Sequence, residues 1–453
     1  MVRHRRTFLV RVPLFVLTSF ALVGTAVASQ VPEAGSALGA PPLDGSARAG
    51  QATPSVPAVQ AVFGSPQTFA TRAQLQRYGF SFGPSDGQFG AIPAGDGSYT
   101  FYAAAGSTSA CASAPNSNSG SFTFTGTLDH VTGSSCTRVF GRGDGPTGWV
   151  FDRDYAGGGQ VSPFLAVGTS GWLMPFHAEF QWSNPETSDH KCNGVPCFYS
   201  SLGLAISTDA GKTFHVVGQI LQPSQPLSVF NGAGANMPVG YGSLILADAN
   251  GEHLDNPPSD PSNAYFYLFY SDLVPGSLGA CARAVCLGVA RAPYLDLVAA
   301  ALGGNPDTVA TVFYKYNGAS PDPWTQPATS DTPDESGTAG SYAPLWTDTA
   351  GSQASVIYDS TLNVYLCAYL TSAGVTLRSS SDLLHWSAPI ATYSEPGRSL
   401  YSPTILGETG EPTNGGPTPR VYFTSFTSFP NWGSSIFEGV PVSLTEAMDN
   451  GSP

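Results

Sequence analysis

The chain has 453 residues, of which 42% are hydrophobic and only 11% charged, with 52 Gly and 38 Pro. So little charge excludes a protein built mainly from surface helices, and such a supply of turn formers points to an all-β fold. With 18 Lys and Arg against 32 Asp and Glu the formal net charge is −14, which sets nucleic acid aside as a partner.

The elements are taken in chain order. Residues 1–28 read as a signal peptide. Arg3, Arg5, Arg6 and Arg11 surround or precede the apolar stretch PLFVLTSFALVGTAVA, which ends in the A-x-A cleavage pattern Ala26-Val27-Ala28. Arg5-Arg6-Thr7-Phe8-Leu9 resembles the twin-arginine export signal, and an ordinary secretory signal with a basic head is the alternative. A secreted bacterial protein is expected, with no membrane span: the apolar run is short and no later segment is long enough. Residues 29–60, rich in Ala, Gly, Pro and Ser, read as a disordered linker. The folded domain is expected over 61–448.

Seven cysteines fit an oxidising compartment. Local pairing predicts Cys111–Cys136, Cys192–Cys197 and Cys281–Cys286. Cys367, inside the apolar run LNVYLCAYL, is then a buried, inert thiol. Zinc is the alternative for the paired cysteines, but no histidines stand at finger spacing, and no EF-hand spacing for calcium occurs. No metal or cofactor is expected.

From about Val62 one pattern recurs: a short strand with Ser, Pro or Gly, a turn, then an aromatic alternating strand. Its copies are FGAIPAGDGSYTFYAAA (89–105), VSPFLAVGTSGWLMPFHAEF (161–180), YGSLILADANG (241–251) with NAYFYLFYSD (263–272), QASVIYDSTLNVYLCAYL (353–370), and YSPTILGETG (401–410) with RVYFTSF (420–426). Between them lie further strand pairs, among them LGLAISTDAGKTFHVVGQI (202–220), GVTLRSSSDLLHWSAPIATY (374–393) and SSIFEGVPVSL (434–444), each read as strand–turn–strand. Five copies of a four-stranded antiparallel unit predict an all-β, five-bladed β-propeller. Only YLDLVAAALGG (294–304) has helical character, enough for a turn or two.

Two loops carry a sharper label. Ser207 to Phe214, STDAGKTF, matches the Asp-box pattern S-x-D-x-G-x-T-F, and Ser379 to Trp386, SSSDLLHW, is a looser relative. Their aspartates are expected to hold their own turns and not to act as catalysts. In GWLMPFHAEF (171–180), His177 and Glu179 close an inner strand and share one face. The layout, His-x-Glu followed by the Asp-box hairpin, resembles the five-bladed glycoside hydrolase group of family-43-like and sialidase-like propellers over roughly residues 75–445. The resemblance implies carboxylates from different blades meeting at the channel mouth. It makes Glu179 the candidate acid and Asp86 the candidate base or nucleophile. His177 would tune Glu179 or bind hydroxyls, and Tyr241, Tyr342 and Tyr401 would stack sugars. A third carboxylate is sought among Asp152, Asp154 and Asp255; Asn236 and Tyr241 stand where the group leads one to expect an acid.

The expected function is a secreted carbohydrate-active protein, a glycoside hydrolase acting as a monomer on a carbohydrate substrate. The alternative is a non-catalytic propeller that binds glycans or a cell surface. A true sialidase is disfavoured, since only eleven arginines follow the signal segment. G-x-S-x-G and P-loop motifs are absent.

Overall fold

The computed structural model describes residues 59–83, 86–111, 120–166, 168–182, 191–192, 195–226, 239–273, 285–330, 339–348, 350–407, 414–416, 418–428 and 431–446. The signal segment, nearly all of the linker, Asn236, Cys281 and the side chain of Cys192 lie outside them.

Five antiparallel sheets stand as the blades of a β-propeller. In blades 3 and 4 the inner strands are Val239–Asp248 and Ser352–Asp359, paired outward with Ala264–Leu273 and Val364–Thr371. In blades 1 and 2 the inner position is split into two short segments. These are Phe80–Phe82 with Gly90–Pro93, and Tyr155–Gly157 with Ser162–Ala166. Alternating apolar side chains of neighbouring sheets interlock between blades. Leu173, Leu202 and Leu204 of blade 2 pack on Leu244, Phe266 and Leu268 of blade 3.

Blade 5 corrects the sequence reading. SSIFEGVPVSL is one continuous strand, Ser435–Glu446, not a strand–turn–strand. Its outer partners come from the other end of the fold: Val59–Phe63 and Gln67–Thr71 both pair with it. The ring closes by hydrogen bonds between the first and last strands. Phe69 anchors this seam, with rings of Phe101, Tyr422 and Phe437 edge-on at 5.1–5.2 Å.

Helices are scarce but fuller than expected. Tyr294–Gly303 is a ten-residue helix, followed by a second, Pro306–Ala310. Tyr294, Leu297, Val298 and Ala301 bury its inner stripe against blade 3. A further short helix, Arg72–Arg77, opens with a capping box: Thr71 Oγ1 accepts from the Gln74 amide at 3.2 Å and Gln74 Oε1 from the Thr71 amide at 2.9 Å.

Cys111 and Cys136 form a disulfide. Cys197 and Cys286 are also disulfide-bonded; the partners expected for them lie outside the described side chains. Cys367 is a buried free thiol whose pKa burial pushes up. Among the described residues no helix is long and apolar enough to cross a membrane.

The axis is stitched by side chains. Inner strands of blades 3, 4 and 5 each bulge at entry, and the residue there has positive φ: Tyr241 (61°), Gln353 (61°) and Ser402 (52°). The bulge frees a hydroxyl two residues on to reach the next blade. Ser243 Oγ accepts from the Val356 amide, Ser355 Oγ from Ile405 and Thr404 Oγ1 from Phe89, at 3.0–3.2 Å. Gln160 lies across the centre. Its Oε1 accepts from Ser243 (2.7 Å) and Ser355 (3.1 Å), while its Nε2 donates to the Ile405 carbonyl (3.4 Å). The axis is therefore filled at this level, and any channel-mouth site has this belt as its floor.

Candidate functional site

At the entry ends of the inner strands of blades 3 and 5, where Tyr241 is the bulge residue and Tyr401 precedes Ser402, a different set of groups meets. Asp86 precedes the blade-1 inner strand and is 4% exposed. His177 (6%) and Glu179 (2%) stand near the end of the second strand of blade 2, Thr169–Trp182. Tyr241 comes from blade 3 and Tyr401 from blade 5. Four of the five blades thus contribute.

The strand order dictates the pairing. His177 and Glu179 are two residues apart on a pleat, so they share a face. Their side chains touch, His177 Nε2 to Glu179 Oε1, at 3.0 Å. The His177 ring stacks on Tyr241 (centroids 5.6 Å, planes 10° apart) and meets Tyr155 edge-on at 5.7 Å. Tyr241 Oη lies 2.7 Å from Tyr401 Oη, and Tyr401 Oη donates to Asp86 Oδ1 at 3.0 Å. Tyr155 Oη donates to the Asp86 carbonyl at 2.8 Å. One set of contacts therefore runs from Asp86 through Tyr401 and Tyr241 to His177 and Glu179.

Among the described residues two buried polar atoms of this set have no hydrogen-bond partner: Asp86 Oδ2 and His177 Nδ1. Burial is the main force on the Asp86 carboxyl, raising its pKa to about 6; the Glu179 charge adds to the rise, while Tyr401 and His177 oppose it. The Tyr155 phenol is driven up chiefly by burial, then by the charges of Asp86 and Glu179.

The structure brings Asp86, His177, Glu179, Tyr241 and Tyr401 together. It places Tyr342 elsewhere, against Tyr270 (centroids 5.9 Å), beside a second buried group of Asp272 and Lys315. There Lys315 Nζ donates to the Gln222 carbonyl at 2.7 Å and Ser224 Oγ to Asp272 Oδ2 at 3.2 Å. Burial raises Asp272 to about 7 and lowers Lys315 to about 8. The acids considered for a third carboxylate are occupied or stand apart. Asp152 accepts from the Gly145 amide at 2.7 Å, Asp154 accepts from the Gln181 amide and pairs with Arg153, and Asp255 lies by His253.

Sequence reasoning missed Tyr155 and the Asp272–Lys315 group. Tyr155 could have been found: it belongs to the short strand that pairs with His177–Glu179. Asp272 and Lys315 are joined only by tertiary packing. Among the described residues no group of three or more His, Cys, Asp or Glu side chains could hold a metal ion.

No family model matches the chain, and no curated protein sequence matches it. Solved structures do resemble its fold. The catalytic domain of a GH62 α-L-arabinofuranosidase from Coprinopsis cinerea is 11% identical with a TM-score of 0.43, covering 86% of this chain and 98% of its own. A family 117 glycoside hydrolase from the marine bacterium Zobellia galactanivorans is 11% identical with a TM-score of 0.47, covering 87% and 93%. A thermostable family-43 glycoside hydrolase is 10% identical with a TM-score of 0.38, covering 81% and 95%. Identity this low is likeness of fold alone.

Proposed function

We propose that the protein is an exported, carbohydrate-active propeller that hydrolyses a glycosidic bond at the mouth formed by Asp86, His177 and Glu179. The observation that carries this is the meeting of Asp86, His177 and Glu179, in which buried Asp86 Oδ2 and His177 Nδ1 find no partner among the described residues. Native interiors rarely leave such atoms unpaired. A ligand bearing several hydroxyls, each able to donate or accept, completes both atoms, and the aromatic edges of Tyr155, Tyr241 and Tyr401 suit the apolar faces of a sugar ring. Export accords with the Cys111–Cys136 disulfide.

Two carboxyl groups suffice for the chemistry. One protonates the leaving oxygen; the other attacks the anomeric carbon or activates water. The surroundings favour giving the proton to Asp86, whose pKa near 6 lets it hold one. Glu179, whose Oε1 lies 3.0 Å from His177 Nε2, is then the second carboxyl group of the pair. This reverses the roles expected from the sequence, which made Glu179 the acid. The second reading, a glycan-binding propeller without turnover, is favoured by the structural roles of Asp152 and Asp154, which leave the site with two acids.

The deciding experiment is a hydrolysis screen of aryl glycosides and glycans with the native chain, Glu179→Gln and Asp86→Asn. Native release of sugar, reduced about 10²–10⁴-fold in both variants, is expected. Equal rates in native and variants overturn the assignment. Glycan binding at the mouth without turnover selects the second reading.

A further inference from the structure

A cleft of about 660 Å³ opens at the other end of blade 2, where neither carboxylate reaches. Trp172 lies five residues before His177 on the same strand, so the two sites stand about 17 Å apart along it. The volume is in the range of small-ligand sites, about 300–1,000 Å³. Three segments wall it: the hairpin around Pro163–Leu165 and Ser170–Trp172, the turn Thr208–Lys212, and Asn256 with Pro257 from the excursion between the first two strands of blade 3.

Each wall is fixed in place. Asn256 Nδ2 donates to the Pro163 carbonyl. Tyr294 Oη bonds the Leu165 amide and carbonyl at 2.9 and 2.8 Å. Asp209 is held by Ser207 (2.9 Å) and Thr213 (3.0 and 2.7 Å), and Tyr102 Oη donates to the Gly211 carbonyl at 2.7 Å from blade 1. A preformed site loses little entropy on binding.

The lining is mixed in a particular way. Half-buried Trp172 and Leu165, 43% exposed, offer apolar surface. Around them stand an ammonium (Lys212), two hydroxyls (Ser170, Thr208), an amide (Asn256) and a carboxylate (Asp209). Donors and acceptors thus line the cleft together with an aromatic surface. Lys212 and Asp209 nearly cancel in charge, which fits neither a polyanion nor a cation. An uncharged ring with an apolar face and a rim of hydroxyls fits both features. We propose that this cleft is a second, non-catalytic docking site for a neutral sugar unit of a glycan chain, with Trp172 as the stacking surface and Lys212, Ser170, Thr208 and Asn256 reading its hydroxyls. It shares with the proposed function only the class of ligand, and it stands or falls on binding, not turnover.

The test is affinity gel electrophoresis of the full chain through a neutral β-glucan, a neutral arabinan and a neutral mannan. The Glu179→Gln background removes hydrolysis. Retardation by at least one polymer is expected, weakened about tenfold in apparent Kd by Lys212→Ala with Trp172→Ala. Trp172 also packs against the core of blades 1 and 2, so a second variant, Ser170→Tyr, fills the cleft from an exposed position and is expected to act alike. Mobility unaffected by every polymer overturns the proposal. So does retardation that survives Ser170→Tyr or disappears with His177→Ala, which would place the bound glycan at the mouth. Hydrolysis of aryl glycosides, unchanged by Ser170→Tyr, reports separately on the catalytic reading.

Discussion

The belt around Gln160 and the mouth around Asp86 meet on the inner strands of blades 3 and 5, where Tyr241 and Tyr401 stand two and three residues before Ser243 and Thr404, yet they are finished differently. In the belt the Gln160 amide uses both ends: Oε1 takes two hydroxyls and Nε2 gives to Ile405. At the mouth, Asp86 Oδ2 and His177 Nδ1 are buried without a partner among the described residues. The belt needs nothing from outside to be stable. Among the described residues Gln88 Oε1 beside the belt is buried without a partner as well, so the mouth is set apart only by having two such atoms next to a second carboxyl group.

The comparison can be broken most forcefully at the mouth. Glu179→Gln is expected to lower kcat by about 10²–10⁴-fold on any hydrolysed substrate while leaving the unfolding midpoint nearly unchanged. The next effect is on the belt. Gln160→Ala strands the Ile405 carbonyl and deprives two hydroxyls of their acceptor. Urea unfolding is expected to show a loss of about 3 kcal/mol, with the folded blades intact in far-ultraviolet dichroism.

Asp86→Asn should do the reverse of a belt change: it should stabilise the fold while removing activity. The unfolded carboxyl titrates near 3.9 and the folded one at about 6, so the folded state holds the proton more tightly. A raised carboxyl pKa makes its contribution most favourable below about pH 4. That contribution is lost as pH climbs to about 6, and above this the ionised, poorly solvated group weakens the fold. At pH 8 the Asn variant is expected to gain up to about 3 kcal/mol in urea unfolding, and at pH 3.5 almost nothing. The same carboxyl sets a pH limb for activity. If Asp86 donates the proton, rates fall as pH rises through about 6. Tyr401→Phe removes a hydrogen bond that lowers the Asp86 pKa, so the limb in a pH–kcat profile should move to higher pH; an unmoved limb assigns it to another group. The smallest effect is expected at Asp209, a carboxylate finished by its own turn like the belt. Asp209→Ala should cost about 1 kcal/mol and leave hydrolysis of small substrates untouched.

Much of the fold was legible because a propeller repeats itself. Five inner strands with Ser, Pro or Gly followed by aromatic strands gave the blade count. His177 and Glu179 could be paired because a pleat has a period of two. What failed was non-local. The strands Val59–Phe63 and Gln67–Thr71 are short and resemble nothing in the repeat, so SSIFEGVPVSL was read as carrying its own outer partner. The helix Tyr294–Gly303 starts without a side-chain cap, its first flank being Pro293, and so carried less signal than its length deserves. Arg72–Arg77 did carry a capping box, T-R-A-Q, and could have been found. Tyr342 was chosen for its place ahead of an inner strand, but 342 precedes Ser352–Asp359 by a connection long enough to carry it away to Tyr270.

The seam in blade 5 has a bearing on when the mouth exists. Asp86 and Tyr401 meet across the neighbouring boundary between blades 1 and 5, 315 positions apart in the chain, and the Ser402 hydroxyl accepts the Gly87 amide over the same boundary. Until the terminal strands zip together, these groups are on two unconnected ends of a crescent. Such distant contacts form late in folding. A nascent or half-denatured copy would therefore have assembled blades and no working mouth, so that latching the circle is also what arms it.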